Sequence, residues 1–202
     1  MEDVLEVVQP CINEEENSFL TTEYTAEEVH QAIKQMHPSK APKLDGMPAL
    51  FYQKYWSMLG QDVSRYCLNI LNEGASLVNI NKTHIILVPK TKDPRNIKLF
   101  RPISLCNVIY NIVSKVLVNR LKCVLPKCIN ESQSAFVLGR LITNNVLVAY
   151  ELIHTLKLKK RGKKGALALK LDMSKAYDQV EWHFIDKMMH KWGFILNGFH
   201  VL

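Results

Sequence analysis

The chain has 202 residues, 48% of them hydrophobic, enough to bury a core in one domain or in a piece of a larger one. No apolar run approaches the ~20 residues that span a bilayer, and the opening Met1-Glu-Asp-Val lacks the basic-then-apolar layout of a signal peptide. An intracellular protein, cytoplasmic or nuclear, is therefore expected, neither secreted nor in a membrane. The net charge of +7 conceals an asymmetry: residues 1–30 hold nine acidic side chains and no Lys or Arg, and the rest carries 26 basic against 10 acidic residues. A basic body suits a polyanionic partner, because Lys and Arg on a phosphate backbone release counterions. The five cysteines (Cys11, Cys67, Cys106, Cys123, Cys128) show no paired metal-ligand spacing. They read as reduced, structural thiols rather than a zinc site.

Residues 1–20 show weak periodicity and an acidic run, Glu14-Glu-Glu16, and read as an acidic linker. Thr25-Ala-Glu-Glu28 has capping-box spacing and opens a helix with Val29, Ile33 and Met36 on one face, stopped by Pro38. A Pro-rich loop over 38–48 leads to a predicted helix over 48–72 that Gly74 closes. His84-Ile-Ile-Leu-Val-Pro89 reads as a strand, and the basic segment Lys90 to Lys98 as a hairpin or loop. Helical spacing returns from about Asn107 to Leu125, where Pro126 is expected to end it, and again from Thr143 to Leu158. An apolar strand over 166–171 and a helix over about 179–192 follow. The pattern is a helix-rich α/β (α+β) chain without internal repeats.

Chemistry concentrates in Ala166-Leu-Ala-Leu-Lys-Leu-Asp-Met-Ser-Lys-Ala-Tyr-Asp178. An apolar strand here delivers Asp172 to its end. A carboxylate in that position needs hydrogen bonds or a cation, so it is either a satisfied junction residue or a metal ligand. Asp178-Gln-Val-Glu181 again has capping-box spacing, which makes Asp178 an N-cap rather than a ligand. A haloacid-dehalogenase-type phosphatase would need Asp where Ser174 stands, and no Gly-Lys-Ser/Thr turn of a P-loop is present.

Lys170-Leu-Asp-Met-Ser-Lys-Ala-Tyr-Asp178, with Val180-Glu-Trp182, resembles the first catalytic motif of LINE-type (non-LTR) retrotransposon reverse transcriptases, particularly plant ones. Three further segments resemble family motifs in family order: Ala41-Pro-Lys-Leu-Asp-Gly-Met47, Lys98-Leu-Phe-Arg-Pro-Ile-Ser-Leu-Cys-Asn-Val108 and Gln133-Ser-Ala-Phe-Val-Leu-Gly-Arg-Leu-Ile142. The resemblance covers roughly residues 20 to 195. It implies the fingers of a right-hand polymerase over 21–165 and the start of a palm, left incomplete, over 166–202.

The same resemblance implies the site. Asp172 would hold Mg2+ with the Met173 carbonyl, in a reaction whose two metals neutralise charge on phosphate oxygens. Tyr177 would pack under the incoming sugar and exclude a 2′-hydroxyl; its plainer reading is a core aromatic. Arg101 would clamp the triphosphate, since a guanidinium makes bidentate phosphate contacts that Lys cannot; its plainer reading is a solvated basic loop. Lys90, Lys92, Arg95 and Lys98 surround it. Gln133, Gly139 and Arg140 would lie against template and incoming nucleotide, or form a plain turn. The run Lys157, Lys159, Lys160, Arg161, Lys163 and Lys164 is either a solvated connection or a phosphate-holding loop that reads no sequence. The partners implied are an RNA template, a DNA primer and deoxynucleoside triphosphates.

Lys43 and Leu44 replace a glycine and a proline usual in the family, Leu138 replaces a proline and Asn144 an aspartate. No Asp-Asp pair occurs in the 202 residues, whereas the family's second catalytic motif carries one. The expectation is an inactive fragment of an RNA-directed DNA polymerase. The alternative is a non-enzymatic, basic nucleic-acid-binding remnant.

Overall fold

The computed structural model describes residues 5–39, 46–135, 137, 139–158, 167–171 and 176–195. Seven helices and one hairpin are ordered along these residues: α1 (Glu14–Thr21), α2 (Ala26–Lys34), α3 (Ala49–Lys54), α4 (Trp56–Glu73), β1 (His84–Pro89), β2 (Phe100–Leu105), α5 (Val108–Cys128), α6 (Ile142–Leu158) and α7 (Trp182–Trp192). This is the expected helix-rich α/β class with a small antiparallel sheet. The chain divides into two compact units, residues 17–121 with 195–202 and residues 1–16 with 122–194.

In the first unit, α2 begins as its sequence predicts. The Thr25 hydroxyl accepts from the Glu28 N–H at 3.3 Å and the Glu28 carboxylate accepts from the Thr25 N–H at 2.8 Å, which satisfies two otherwise orphaned donors. Val29, Ala32 and Ile33 face inward from α2, Val63, Cys67 and Ile70 from α4, and Val108, Ile112, Val113, Val116 and Leu117 from α5. Each spacing follows the helical period, and each buried aliphatic side chain contributes about 1.5–3 kcal/mol. Asn72, one residue from the end of α4, accepts from the Tyr24 N–H at 2.8 Å and donates to the Tyr24 carbonyl at 3.1 Å.

The single helix predicted over 48–72 is two helices. Tyr55, at φ −104° and ψ 24°, interrupts the run between α3 and α4. The Gln53 amide donates to the carbonyls of Ile33 and Met36 at 2.8 Å each, so α3 is tied to the end of α2. That anchor lies far away in sequence, and periodicity carries no trace of it. Gly74 does close α4, with φ 68°.

Residues 14–21, which run from the second unit into the first, are helical where weak periodicity suggested linker. The Asn13 side chain accepts from the Glu16 N–H at 2.8 Å, and the Glu16 carboxylate accepts from the Asn13 N–H at 3.0 Å. Asn-x-x-Glu is a cap signal that the surrounding acidic run masks. Leu5 and Ile12 are buried, and the N–H groups of Cys11 and Ile12 both donate to the Trp192 carbonyl, at 2.9 and 3.0 Å. Gly193 ends α7 at φ 95°, and a Cβ there would sit 3.0 Å from the Ile12 carbonyl oxygen. Only glycine meets both demands without strain.

Pro126 does not end α5, which runs on to Cys128. A proline removes one intrahelical donor. Here the loss falls in the last turn, where Lys127 pairs with Glu16 and Cys128 meets Cys11. Two other expectations are also corrected. Residues 167–171 pair with no strand among the described residues, and Leu167, Leu169 and Leu171 are 87%, 74% and 80% exposed; a strand requires a hydrogen-bonding neighbour. The last helix starts at Trp182 with Glu181 at its N-cap, so Asp178 is not the cap; it lies in a 3₁₀ turn over Ala176–Gln179.

Candidate nucleic-acid interface

The hairpin brings the first set of candidate residues together. β1 and β2 pair antiparallel with Val88 opposite Arg101 and Leu87 opposite Pro102. Directly opposed residues share a face, so Arg101, Ile103, Val88 and Ile86 lie on one side of the ribbon. Every residue of β1 is exposed, as is Arg101. The result is a solvent-facing two-stranded ribbon with apolar residues on both faces.

Beyond the strands, the basic turn has its own internal order. The Lys90 N–H donates to the Leu99 carbonyl at 2.7 Å and the Lys90 ammonium to the Lys98 carbonyl at 3.0 Å. Asn96 caps a short 3₁₀ turn over Ile97–Leu99 through the Lys98 N–H. Arg95 pairs with Asp93 at 3.2 Å, fully at the surface, where such a pair adds little stability. Among the described residues the Arg101 guanidinium has no hydrogen-bond partner. A group with five fixed donors on an exposed ribbon is available to an anion.

Gln133, Gly139 and Arg140 belong to one loop of the other unit. Arg140 folds back over it and donates to the carbonyls of Asn130 and Gln133 at 2.6 Å each, with a long contact of 3.5 Å to Ile129. The Gln133 amide donates to the Ala135 carbonyl at 3.1 Å, and Gly139 turns the chain at φ 79°. Ser134 donates to Asn145 at 2.8 Å, fastening the loop to the start of α6. Arg140 is thus a clasp first; its Nε–H and one Nη2 hydrogen remain for another acceptor. Lys157 is exposed in the last turn of α6. Four apolar residues of that helix are exposed as well: Val146, Leu147, Tyr150 and Ile153.

Residues 88–197, more than half of the chain, match the family model described as reverse transcriptase (RNA-dependent DNA polymerase). The chain belongs to the reverse transcriptase family. It is also 34% identical over 185 residues to a protein of Xenopus laevis described as "Transposon TX1 uncharacterized 149 kDa protein". That match covers 92% of this chain and 14% of the transposon protein, so this reverse transcriptase chain spans about one seventh of that relative's length.

The reverse transcriptase family uses divalent metal ions and acts on primed nucleic-acid templates with deoxynucleoside triphosphates. The residues expected to hold metal, Asp172 and Met173, lie outside the described residues, as do Lys159, Lys160, Arg161, Lys163, Lys164, Lys43, Leu44 and Leu138. For Tyr177 the structure describes the backbone, in the 3₁₀ turn. Among the described residues no three His, Cys, Asp or Glu side chains converge on a metal position, and no helix is long and apolar enough to cross a membrane.

Sequence reasoning passed over Arg120. It stands in the apolar stripe of α5, 5% exposed, with its guanidinium 3.7 Å from the centroid of the Tyr24 ring. It donates to the Glu28 carboxylate at 2.6 and 2.9 Å, to the carbonyls of Leu20 and Glu23 at 3.3 and 2.9 Å, and to the carbonyl of Thr22. A charged residue in phase with Ile112, Val113, Val116 and Leu117 was the available signal, since a buried charge requires partners.

Proposed function

We propose that this chain is the nucleotide- and nucleic-acid-holding part of a LINE-type (non-LTR) reverse transcriptase, an RNA-directed DNA polymerase. The exposed Arg101, without a partner among the described residues, on a ribbon that ends in Lys90, Lys92, Arg95 and Lys98 carries this reading. Arg101 binds the triphosphate of the incoming deoxynucleotide. Pro102, which follows it opposite Leu87, supports this reading by restricting the backbone beside Arg101. Gln133, Gly139 and Arg140 present a loop to the template. Lys157, Lys159, Lys160, Arg161, Lys163 and Lys164 bind backbone phosphates without base readout.

For Mg2+, the Asp172 carboxylate and the Met173 carbonyl are hard oxygen donors of the kind that ion takes. When bound, the metal supplies charge neutralisation at the phosphates in nucleotidyl transfer. Tyr177 fills the space that a 2′-hydroxyl would need, so the choice of deoxyribose is steric. A RNA-templated DNA primer and deoxynucleoside triphosphates are the partners.

The test is binding of a fluorescent RNA–DNA primer–template by the full chain across a salt series. The reading expects affinity that falls steeply with salt. Neutralising the Lys157–Lys164 run should weaken binding uniformly across sequences, and Arg101→Ala should weaken capture of a deoxynucleoside triphosphate by the complex about tenfold or more. Binding that ignores both salt and these substitutions would refute it.

A further inference from the structure

Cys11 and Cys128 are 117 positions apart in sequence, yet their sulfur atoms lie 2.8 Å apart. That is under ~1 Å longer than a covalent S–S bond of ~2.05 Å. Neighbouring contacts pin both backbones. On one side, the N–H groups of Cys11 and Ile12 donate to the Trp192 carbonyl at 2.9 and 3.0 Å. On the other, Lys127 pairs with Glu16, and the Ile129 N–H donates to the Leu125 carbonyl at 3.2 Å across the last turn of α5. Both cysteines are half-buried, which admits a molecule the size of a peroxide. Neither belongs to the residues assigned to nucleotide, metal or nucleic acid.

We propose that Cys11 and Cys128 form a redox-modification site, in which a peroxide converts the two thiols to a disulfide that staples the N-terminal segment to the end of α5. The thiolate of Cys11 attacks one peroxide oxygen, the O–O bond breaks, and the departing hydroxide takes up the proton that the Cys11 thiol released, leaving as water with a sulfenic acid on that sulfur. The Cys128 thiol then attacks the sulfenic sulfur, forms the S–S bond and passes its proton to the departing hydroxide, which leaves as a second water. Two thiols lose two electrons together and one peroxide gains them. The order follows from environment: burial, and then the neighbouring Cys11, push the Cys128 thiol up to about 12, which makes it a poor first nucleophile. Cys67 is fully buried, and burial alone pushes it up to about 12, so it stays inert. A link closing so long a loop restricts the unfolded chain and stabilises the folded one.

The experiment treats the full chain with hydrogen peroxide, blocks remaining thiols by alkylation, and maps linked peptides by mass spectrometry without reduction. Thermal unfolding is followed before oxidation, after it, and after dithiothreitol. The Cys11–Cys128 peptide should dominate over any link to the exposed Cys123, with Tm raised by about 4 °C or more and restored by reductant. C11S and C128S should each lose the linked peptide and the rise in Tm, whereas C123S should keep both. Oxidation of Cys123 with Cys11 and Cys128 left as thiols would overturn the proposal, as would a link that leaves Tm unchanged. If C11S or C128S does not fold, the peptide map and melting curve of the unaltered chain decide by themselves.

Discussion

Arg120 and Glu28, 92 positions apart, form a two-pronged ion pair at 2.6 and 2.9 Å, with 6% and 31% of their side chains exposed. The same carboxylate closes the capping box of α2 through the Thr25 N–H. One buried guanidinium therefore joins the start of α2, the Leu20–Glu23 carbonyls and the middle of the chain's longest helix. Arg120→Met removes a charge whose partner cannot move away. The expected loss is about 3 kcal/mol, at the lower end for a broken buried pair because Glu28 keeps some water contact. Urea unfolding measures it. The double substitution Arg120→Met with Glu28→Gln should cost less than the sum of the two single ones.

Acid should weaken the fold through two carboxylates. Burial pushes Glu28 up, but hydrogen bonds from Arg120 and Thr25 outweigh it and hold the carboxyl below its ordinary 4.5. Lys127, and then the Asn13 N–H, hold the carboxyl of Glu16 below 4.5 as well. For both groups the native value is depressed, so the unfolded chain binds protons first as pH falls. Their stabilisation is fully present above about pH 5 and is lost as pH drops through 4.5 toward the native values. A urea midpoint that is level from pH 7 to 5 and declines below 4.5 is expected. Glu28→Gln should flatten part of that decline.

Arg140→Ala should release the loop without unfolding the unit. The guanidinium holds the carbonyls of Asn130 and Gln133, and none of the loop's described side chains belongs to the buried core. Amide exchange at Gln133 and Arg140 should quicken about tenfold or more, while the urea midpoint changes by less than about 1 kcal/mol equivalent. Uniform acceleration across α5 and α6 would show that the clasp supports the whole unit.

Gly193→Ala tests the seam at the end of α7. A side chain there must adopt φ 95° and also meet the Ile12 carbonyl oxygen at 3.0 Å. The expected cost is about 1–3 kcal/mol, from left-handed backbone strain and displacement of the Cys11–Ile12 segment. Thermal unfolding reads the cost, and faster exchange of the Cys11 and Ile12 amides locates it.

Much of the local structure was legible in residue order. Thr25-x-x-Glu28, the helical spacing from Val108 to Leu117, Gly74 after α4 and the β-branched run from His84 each act through neighbours within a few positions. The motif around Arg101 was legible as residue order alone, whereas the strand Phe100–Leu105 and its register against β1 came only with the structure. The strand expected over 166–171 finds no partner at its described residues 167–171, since pairing needs a second segment.

By itself, then, the sequence determined the family and most of the helices, both short-range properties of residue type and spacing. Only the tertiary structure decided that Arg120 is a buried hub rather than another nucleic-acid contact, and that Pro126 rests inside a helix. It likewise decided that Tyr55 breaks a helix and that Cys11 meets Cys128. Each of these depends on a partner brought from far along the chain: Glu28, Lys127 with Glu16, Gln53 on Ile33, and a sulfur 117 positions away. Desolvation forces buried polar groups and chain ends to find such partners, and residue order does not encode which one is near.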